Sequence, residues 1–198
     1  MKKLQRLHSR KSQRGATLLL VMMLLVMAGL LAITAASMGT MDERVARNSR
    51  DQNVALQAAE AALRDARTDV FTSKSFGGEV RAFYGATGAT ANCNASGFKG
   101  VCTALTHAQV MDRLMSDTQS VEFGEVIARP AAQLFADSTE QGGVTRQPRY
   151  IVEVVPDPDD LSLTGPIKYV YRVTAIGFGS HAGTRSIVQE VVRVATNS

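Results

Sequence analysis

The feature that most constrains this chain is a long stretch without charge: no Asp, Glu, Lys or Arg occurs between Arg14 and Asp42. Its apolar part, from Ala16 to Met41, contains 26 residues. At about 1.5 Å per residue, a helix of this length measures about 39 Å, and the hydrocarbon core of a bilayer is about 30 Å thick. The sequence therefore predicts one helix that spans a membrane.

The fifteen residues before this stretch contain six basic side chains and no acid, and they end in Gly15. Basic clusters of this kind stay in the cytoplasm, so the rest of the chain is expected on the outer side of the membrane. The glycine at the junction predicts a processing site on the cytoplasmic side of a helix that is kept. The basic residues are Lys2, Lys3, Arg6, Arg10, Lys11 and Arg14.

Two other interpretations of this segment remain open. One is a secretory signal peptide with small residues at its cleavage site, for which residues 32–37 are candidates. Signal peptides have apolar regions of about 7–15 residues, and the run here is longer. The other is an uncleaved membrane anchor. Neither alternative explains why glycine marks the start of the apolar stretch.

The junction resembles the class III leader of type IV prepilins. Residues 42–48 (DERVARN) and 55–64 (ALQAAEAALR) resemble the PilX group of minor pilins, and residues 171–179 (YRVTAIGFG) are similar to the same group. The resemblance implies that prepilin peptidase cleaves after Gly15 and that Ala16 becomes the N-methylated first residue. Ala16 departs from the usual phenylalanine of the family at this position.

The resemblance also draws attention to Leu20. Filament-forming pilins carry a glutamate four residues after the first mature residue, where it pairs with the N-terminal ammonium of a neighbouring subunit. A buried carboxylate is costly unless it is paired. Here that position is Leu20, and the apolar stretch contains no acid. Such a subunit can offer its own amine but cannot return the interaction, which suits one end of an assembly.

Beyond the membrane segment, the chain predicts a continuing amphipathic helix. Seven residues recur at three- and four-residue spacing, while most charged residues, including Asp51 and Asp65, lie off that stripe. No proline occurs before Pro130, so we expect one helix from about Ala16 to about Val70. The predicted stripe consists of Val45, Gln52, Leu56, Ala59, Leu63, Ala66 and Val70.

The two cysteines, Cys93 and Cys102, lie close together in the sequence. The segment around them is rich in Gly, Ala, Ser and Asn, a composition that predicts mainly loop. In an exported protein this spacing predicts a disulfide. A metal site would need four ligands, and no histidine lies between or beside the cysteines. Residues 106–115 predict a short helix that Thr106 caps.

The last third of the chain predicts three strands, at residues 150–155, 168–176 and 186–194, with a hairpin loop at 177–183. Laid against the amphipathic half of the helix, they give a pilin-like α+β fold with a small antiparallel β-sheet. The expected organisation is a basic leader (1–15), a transmembrane or filament-core helix (16–41) and one periplasmic globular domain (42–198).

Composition argues against several functions. The formal charge is +4, but removal of the leader leaves 16 Lys and Arg against 18 Asp and Glu, a net −2. A nucleic-acid surface is therefore not indicated. The three histidines are scattered, and no constellation supports an enzyme or a cofactor. The aspartates Asp157, Asp159 and Asp160 offer oxygen ligands for calcium, although aspartates beside prolines are more typical of a solvated turn.

The resemblance therefore implies a minor pilin that helps to initiate type IV pili, with twitching motility and surface adhesion as consequences for the cell. It implies contacts with other minor pilins, the major pilin, inner-membrane lipid and a PilY-family tip adhesin. The expected location is the inner membrane and, after assembly, the pilus. A minor pseudopilin of type II secretion and an unrelated membrane-anchored periplasmic domain remain as alternatives.

Overall fold

The computed structural model describes residues 16–193 except 73–74, 77, 82, 84, 141 and 160–166. The leader with Gly15, and Asp160 of the acidic cluster, lie outside the described residues. The chain divides into two units, one that ends at Arg47 and one that begins at Asn48.

The first unit, as described, is a single helical segment. It is the beginning of helix α1 (Ala16–Thr72), which continues into the second unit. All the side chains described between Ala16 and Arg47 are exposed. The predicted helix from about Ala16 to about Val70 is confirmed. It is continuous because no proline interrupts its ladder of backbone hydrogen bonds.

The second unit combines the rest of α1 with a short helix and nine strands among the described residues. The strands and helix that follow α1 are β1 (Ser75–Phe76), β2 (Glu79–Val80), β3 (Asn94–Ala95), β4 (Phe98–Lys99), β5 (Val101–Thr103), α2 (His107–Met115), β6 (Val121–Glu122), a 3-10 turn (Ala131–Gln133), β7 (Arg149–Pro156), β8 (Tyr169–Phe178) and β9 (Arg185–Val192).

The main sheet has the strand order β5-β7-β8-β9, with β6 also paired to β7. The three predicted strands are β7, β8 and β9, and they are antiparallel as expected. The predicted small antiparallel sheet is confirmed, and the structure adds one parallel pairing, between β5 and β7. With three residues, β5 is too short to be recognised by alternation of apolar and polar residues.

Helix α2 is held at its start by a capping box. Thr106 accepts a hydrogen bond from the backbone N–H of Gln109, and the Gln109 side chain accepts one from the backbone N–H of Thr106. Two orphan donors of the helix start are satisfied in this way. The predicted helix is confirmed, and Val110 and Leu114 are its buried apolar residues.

The core of the second unit lies between α1 and one face of the main sheet. The helix contributes small residues, including Ala62 and Ala66, and the sheet contributes Tyr150, Val152 and Val173. Alanine on the helix allows its backbone to come close to the strands. A second apolar cluster, with Leu114, Ile151 and Ile176, lies where α2 packs on the sheet.

The predicted position of the buried stripe on α1 is only partly correct. Ala59, Ala66 and Val70 are buried as expected, but Val45, Gln52 and Leu56 are exposed. The side of α1 that is buried instead contains three aspartates. Two of them, Asp51 and Asp65, lie outside the stripe predicted from the sequence. This buried face comprises Asp51, Ala55, Ala58, Ala62, Asp65, Ala66 and Asp69.

Candidate functional site

The first candidate site is the exposed apolar surface at the start of α1. Leu20 lies there with 60% of its surface exposed, and the segment from Ala16 to Met41 has no ionisable side chain. Exposed apolar surface of this extent marks contact with lipid or with other proteins. By length and composition, α1 can cross a membrane.

Asp65 connects the helix to a loop of the second unit. Its carboxylate is fully buried and accepts hydrogen bonds from Arg129 Nε at 3.1 Å and Nη2 at 2.9 Å, and from the Gly124 backbone N–H at 3.1 Å. The Arg129 guanidinium also lies 4.8 Å from the centre of the Phe123 ring. Both guanidinium nitrogens donate to Oδ1 of Asp65 and the Gly124 N–H donates to Oδ2, so both carboxylate oxygens have charge-assisted hydrogen bonds.

Asp69 lies one turn further along and forms a second buried ion pair. Arg81 Nη2 is 3.1 Å from its carboxylate, both side chains are fully buried, and the Tyr150 hydroxyl donates a hydrogen bond to Asp69 at 3.0 Å. Burial raises the pKa of Asp69 to about 6, against the opposing effects of Arg81 and the Tyr150 hydroxyl. Burial also raises the pKa of Tyr150, and the neighbouring Asp69 carboxylate adds to this.

Asp51 fastens the loop between β8 and β9 to α1. It accepts a hydrogen bond from the Ser180 backbone N–H at 2.5 Å and lies 3.1 Å from His181 Nδ1. Burial raises the pKa of this carboxyl, but hydrogen bonds from Thr184, Ser180 and His181 outweigh burial and lower the pKa. The aspartates of the buried face therefore position the helix, and we assign them no catalytic role.

The apolar spacing that predicts the stripe on α1 does not mark these three aspartates as parts of one buried face. Their positions, combined with the alanines at 55, 58, 62 and 66, follow a spacing of three or four residues, which is a signal that the sequence contains. Their basic and phenolic partners lie far away along the chain, so the burial itself has no local signature.

The structure contains the Cys93–Cys102 disulfide that the sequence predicts, with an S–S distance of 2.09 Å. Both cysteines are fully buried beside Leu114 and Ile176 in the cluster under α2. The hairpin of β3 and β4 lies between them, so the bridge ties this hairpin to the start of the main sheet.

The acidic cluster does not form a metal site among the residues that the structure describes. Arg193 Nη2 lies 3.2 Å from Asp157 and is also hydrogen-bonded to Asp159. The guanidinium occupies the position that a cation would take between these carboxylates. No group of three or more His, Cys, Asp or Glu in the described part of the chain has a metal-binding arrangement.

A groove of about 390 Å³ lies between α2 and the face of the sheet opposite α1. Glu153, fully buried at its floor, accepts hydrogen bonds from Arg172 Nη2 at 2.6 Å, Arg172 Nε at 3.0 Å and the Leu105 backbone N–H at 3.0 Å. The Glu153 hydrogen bonds raise the pKa of Arg172. Ile187 and Gln189 of β9 line the same groove.

A helix with an exposed apolar beginning, whose later part packs on a small mostly antiparallel sheet, defines a pilin-like α+β protein. The model of the PilX N-terminal family matches residues 14–64, and that of the type IV pilus assembly protein PilX C-term matches residues 82–194. The chain belongs to the PilX family of type IV pilus assembly proteins. Comparison with curated proteins and with solved structures gives no match. Membership implies interaction with other pilus components.

Proposed function

We propose that this chain is a minor pilin that initiates type IV pili from one end of the filament, together with other minor pilins. The observation that carries this proposal is Leu20, an exposed apolar residue at the position where filament-forming pilins have a glutamate. A subunit without this carboxylate accepts no neighbour's ammonium, so repetition along the shaft would leave buried amines unpaired.

The anchor and the leader fit this role. Prepilin peptidase cleaves between Gly15 and Ala16, and Ala16 is N-methylated. The apolar part of α1 then lies in the inner membrane, and later in the filament core, with the second unit in the periplasm. The support is the charge distribution. Six basic residues and no acid precede an uncharged stretch of 26 residues.

The role is one of assembly without catalysis. Partners are other minor pilins, the major pilin and a PilY-family tip adhesin, and the cell gains twitching motility and surface adhesion. The buried aspartates have structural partners, and Asp157 and Asp159 are paired with Arg193. A calcium-dependent pseudopilin domain therefore has less support than a pilus subunit.

Mass spectrometry of the N-terminus from purified membranes tests the anchor. The proposal predicts a mature chain that begins at Ala16 and carries a methyl group. A chain that begins at Met1, or near Ser37, would contradict it.

Deletion of the gene tests the initiating role. The expected result is far fewer pili per cell, while the remaining pili keep the same major subunit content, because an initiator controls number and not composition. Pili counted by electron microscopy, with expression restored from a plasmid as the control, give the measurement. A normal number of pili per cell in the deletion strain would contradict the proposal.

A further inference from the structure

The two edges of the main sheet differ in whether another segment of the chain covers them. At the edge formed by β5, Thr90 forms a parallel bridge with Cys102, and its carbonyl accepts the Thr103 backbone N–H at 3.2 Å. The loop before the disulfide therefore covers this edge. At the other edge, β9 pairs with β8 and with no further strand among the described residues.

The open edge is long and regular. β9 has eight residues and contains neither proline nor glycine. Natural proteins usually shorten, bend or cover such an edge, because a row of unpaired backbone N–H and C=O groups is a template for another strand. The backbone chemistry of the edge therefore selects an extended peptide as its occupant.

The two faces of β9 specify side chains for that peptide. On the face toward α1, Val188 and Val192 join the core and Glu190 pairs with Arg67 at 3.3 Å. On the opposite face, Ile187 and Val191 are 40% and 57% exposed. An incoming strand would cover these two residues with apolar side chains of its own, since directly opposed residues share a face.

Arg185 adds a charge requirement at one end of the edge. It is exposed, lies on the same face as Ile187, and forms no ion pair among the described residues. Arg193, beyond the other end of β9, is already paired with Asp157 and Asp159. A partner strand with an acidic residue beside Arg185 is therefore complementary to this edge.

We infer that the outer edge of β9 binds an extended segment of another protein, with an acidic residue beside Arg185 and apolar residues beside Ile187 and Val191. The groove under α2 shares Ile187 with this surface, so the surface of the edge is continuous with the groove. The inference does not depend on where in the pilus the subunit lies.

A second copy of the chain fits this edge less well. The residues of β9 on the face of Arg185 are Arg185, Ile187, Gln189 and Val191, and none of them is acidic. A second β9 strand therefore has no residue of opposite charge to place beside Arg185. A partner of different sequence can place an acidic residue there.

Amide hydrogen exchange on the full-length protein in detergent micelles tests the inference. The probes are seven-residue peptides with Glu, Val, Ser and Val at alternate positions and Thr between them, in both chain directions. At saturating peptide, one direction should slow exchange of the exposed β9 amides at least tenfold. A peptide with Lys in place of Glu should bind at least threefold more weakly, and Arg185→Glu should reverse this preference.

Two controls separate strand pairing from apolar association. The same peptide with alternate amides N-methylated keeps its side chains but loses backbone donors, and it should give no protection. The variant Ile187→Lys/Val191→Lys should weaken peptide binding at least tenfold. The matched control Met115→Lys, at an exposed position of α2, should leave peptide binding unchanged.

Four results would overturn the inference. They are no slowing with peptides of either direction, equal protection by the N-methylated peptide, slow exchange of β9 without peptide at low protein concentration, and protection that rises with protein concentration alone. The third would mean that a segment of this chain covers the edge, and the fourth that a second copy does.

Discussion

At the scale of single residues, the second unit is organised by charge buried inside an alanine-rich helix face. The Asp65–Arg129 and Asp69–Arg81 pairs join α1 to two separate loops, with the Gly124 N–H as a further donor to Asp65 and the Tyr150 hydroxyl as a further donor to Asp69. Breaking such a pair leaves a buried group uncompensated, which costs more than the pair itself contributes. These pairs therefore fix the rotation of the helix against the sheet.

Substitution Asp65→Asn removes the charge that Arg129 and the Gly124 N–H contact. We expect a loss of about 3 kcal/mol in the free energy of unfolding, since removal of one partner of a buried ion pair typically costs about 3–5 kcal/mol and Arg129 retains some solvent contact. Denaturant unfolding of the full chain in detergent measures it. Asp112→Asn, at an exposed position in α2, is the matched control and should change stability little. A loss in the free energy of unfolding as small as that of the control would contradict the structural role.

Asp69 gives the domain a pH dependence. Because its folded-state pKa of about 6 lies above the ordinary 3.8, the folded domain binds this proton more tightly than the unfolded chain. The resulting stability is complete below about pH 4 and is lost as pH rises through about 6, up to about 3 kcal/mol. Asp69→Asn should lack this component when the free energy of unfolding is measured from pH 4 to pH 7, whereas Asp42→Asn should retain it. Parallel profiles for Asp69→Asn and wild type would contradict the assignment.

At the scale of elements, most of the fold was accessible from the sequence. The uncharged run, the capping residue Thr106 and the β-branched runs predict α1, α2 and β7–β9 because each signal is local. The parallel strand β5 and the burial of the aspartates of α1 have no local signal in the sequence. Both are determined by partners distant in the chain, such as Val152 for β5 and Arg129 for Asp65.

The contact between α1 and β8 depends on Gly177. A Cβ added there would lie 2.1 Å from the Ala55 carbonyl oxygen and 2.3 Å from the Ala59 nitrogen, both backbone atoms of the helix. Gly177→Ala should therefore destabilise the domain by about 3 kcal/mol, at the upper end of the usual cost of overpacking. Gly183→Ala, in the same hairpin with nothing within 4 Å of the added Cβ, is the control. Equal thermal midpoints for the two variants would refute the close contact.

The disulfide stabilises the hairpin of β3 and β4 against the sheet. Its two cysteines are nine positions apart, and closing a loop of this length stabilises by roughly 2–3 kcal/mol in the chain-entropy model. Cys93→Ser/Cys102→Ser should lower the free energy of unfolding by that amount without altering leader processing. Denaturant unfolding and N-terminal mass analysis measure the two effects. Free thiols in wild-type periplasmic material would contradict the pairing.

At the scale of the whole molecule, the chain joins an uncharged apolar segment to a domain whose main sheet, in the part of the chain that the structure describes, has an open edge at β9. The pilin-like fold and the PilX family follow from motifs in both halves of the chain. The residue beside the edge that selects a partner, Arg185, has no sequence signature because its role depends on strand order. The proposed position at the end of the filament rests on Leu20, and it is the central claim.

The ratio of this protein to major pilin in sheared filaments tests that claim most directly. Leu20→Glu restores a carboxylate that can pair with a neighbour's ammonium, a charge-assisted contact worth roughly 1.5–3 kcal/mol. We expect a very low ratio for wild type and a clearly higher one for Leu20→Glu, with Leu19→Glu as the matched control. A wild-type ratio near that of the major subunit would contradict the end position, and an unchanged low ratio in Leu20→Glu would show that the missing carboxylate is not its cause.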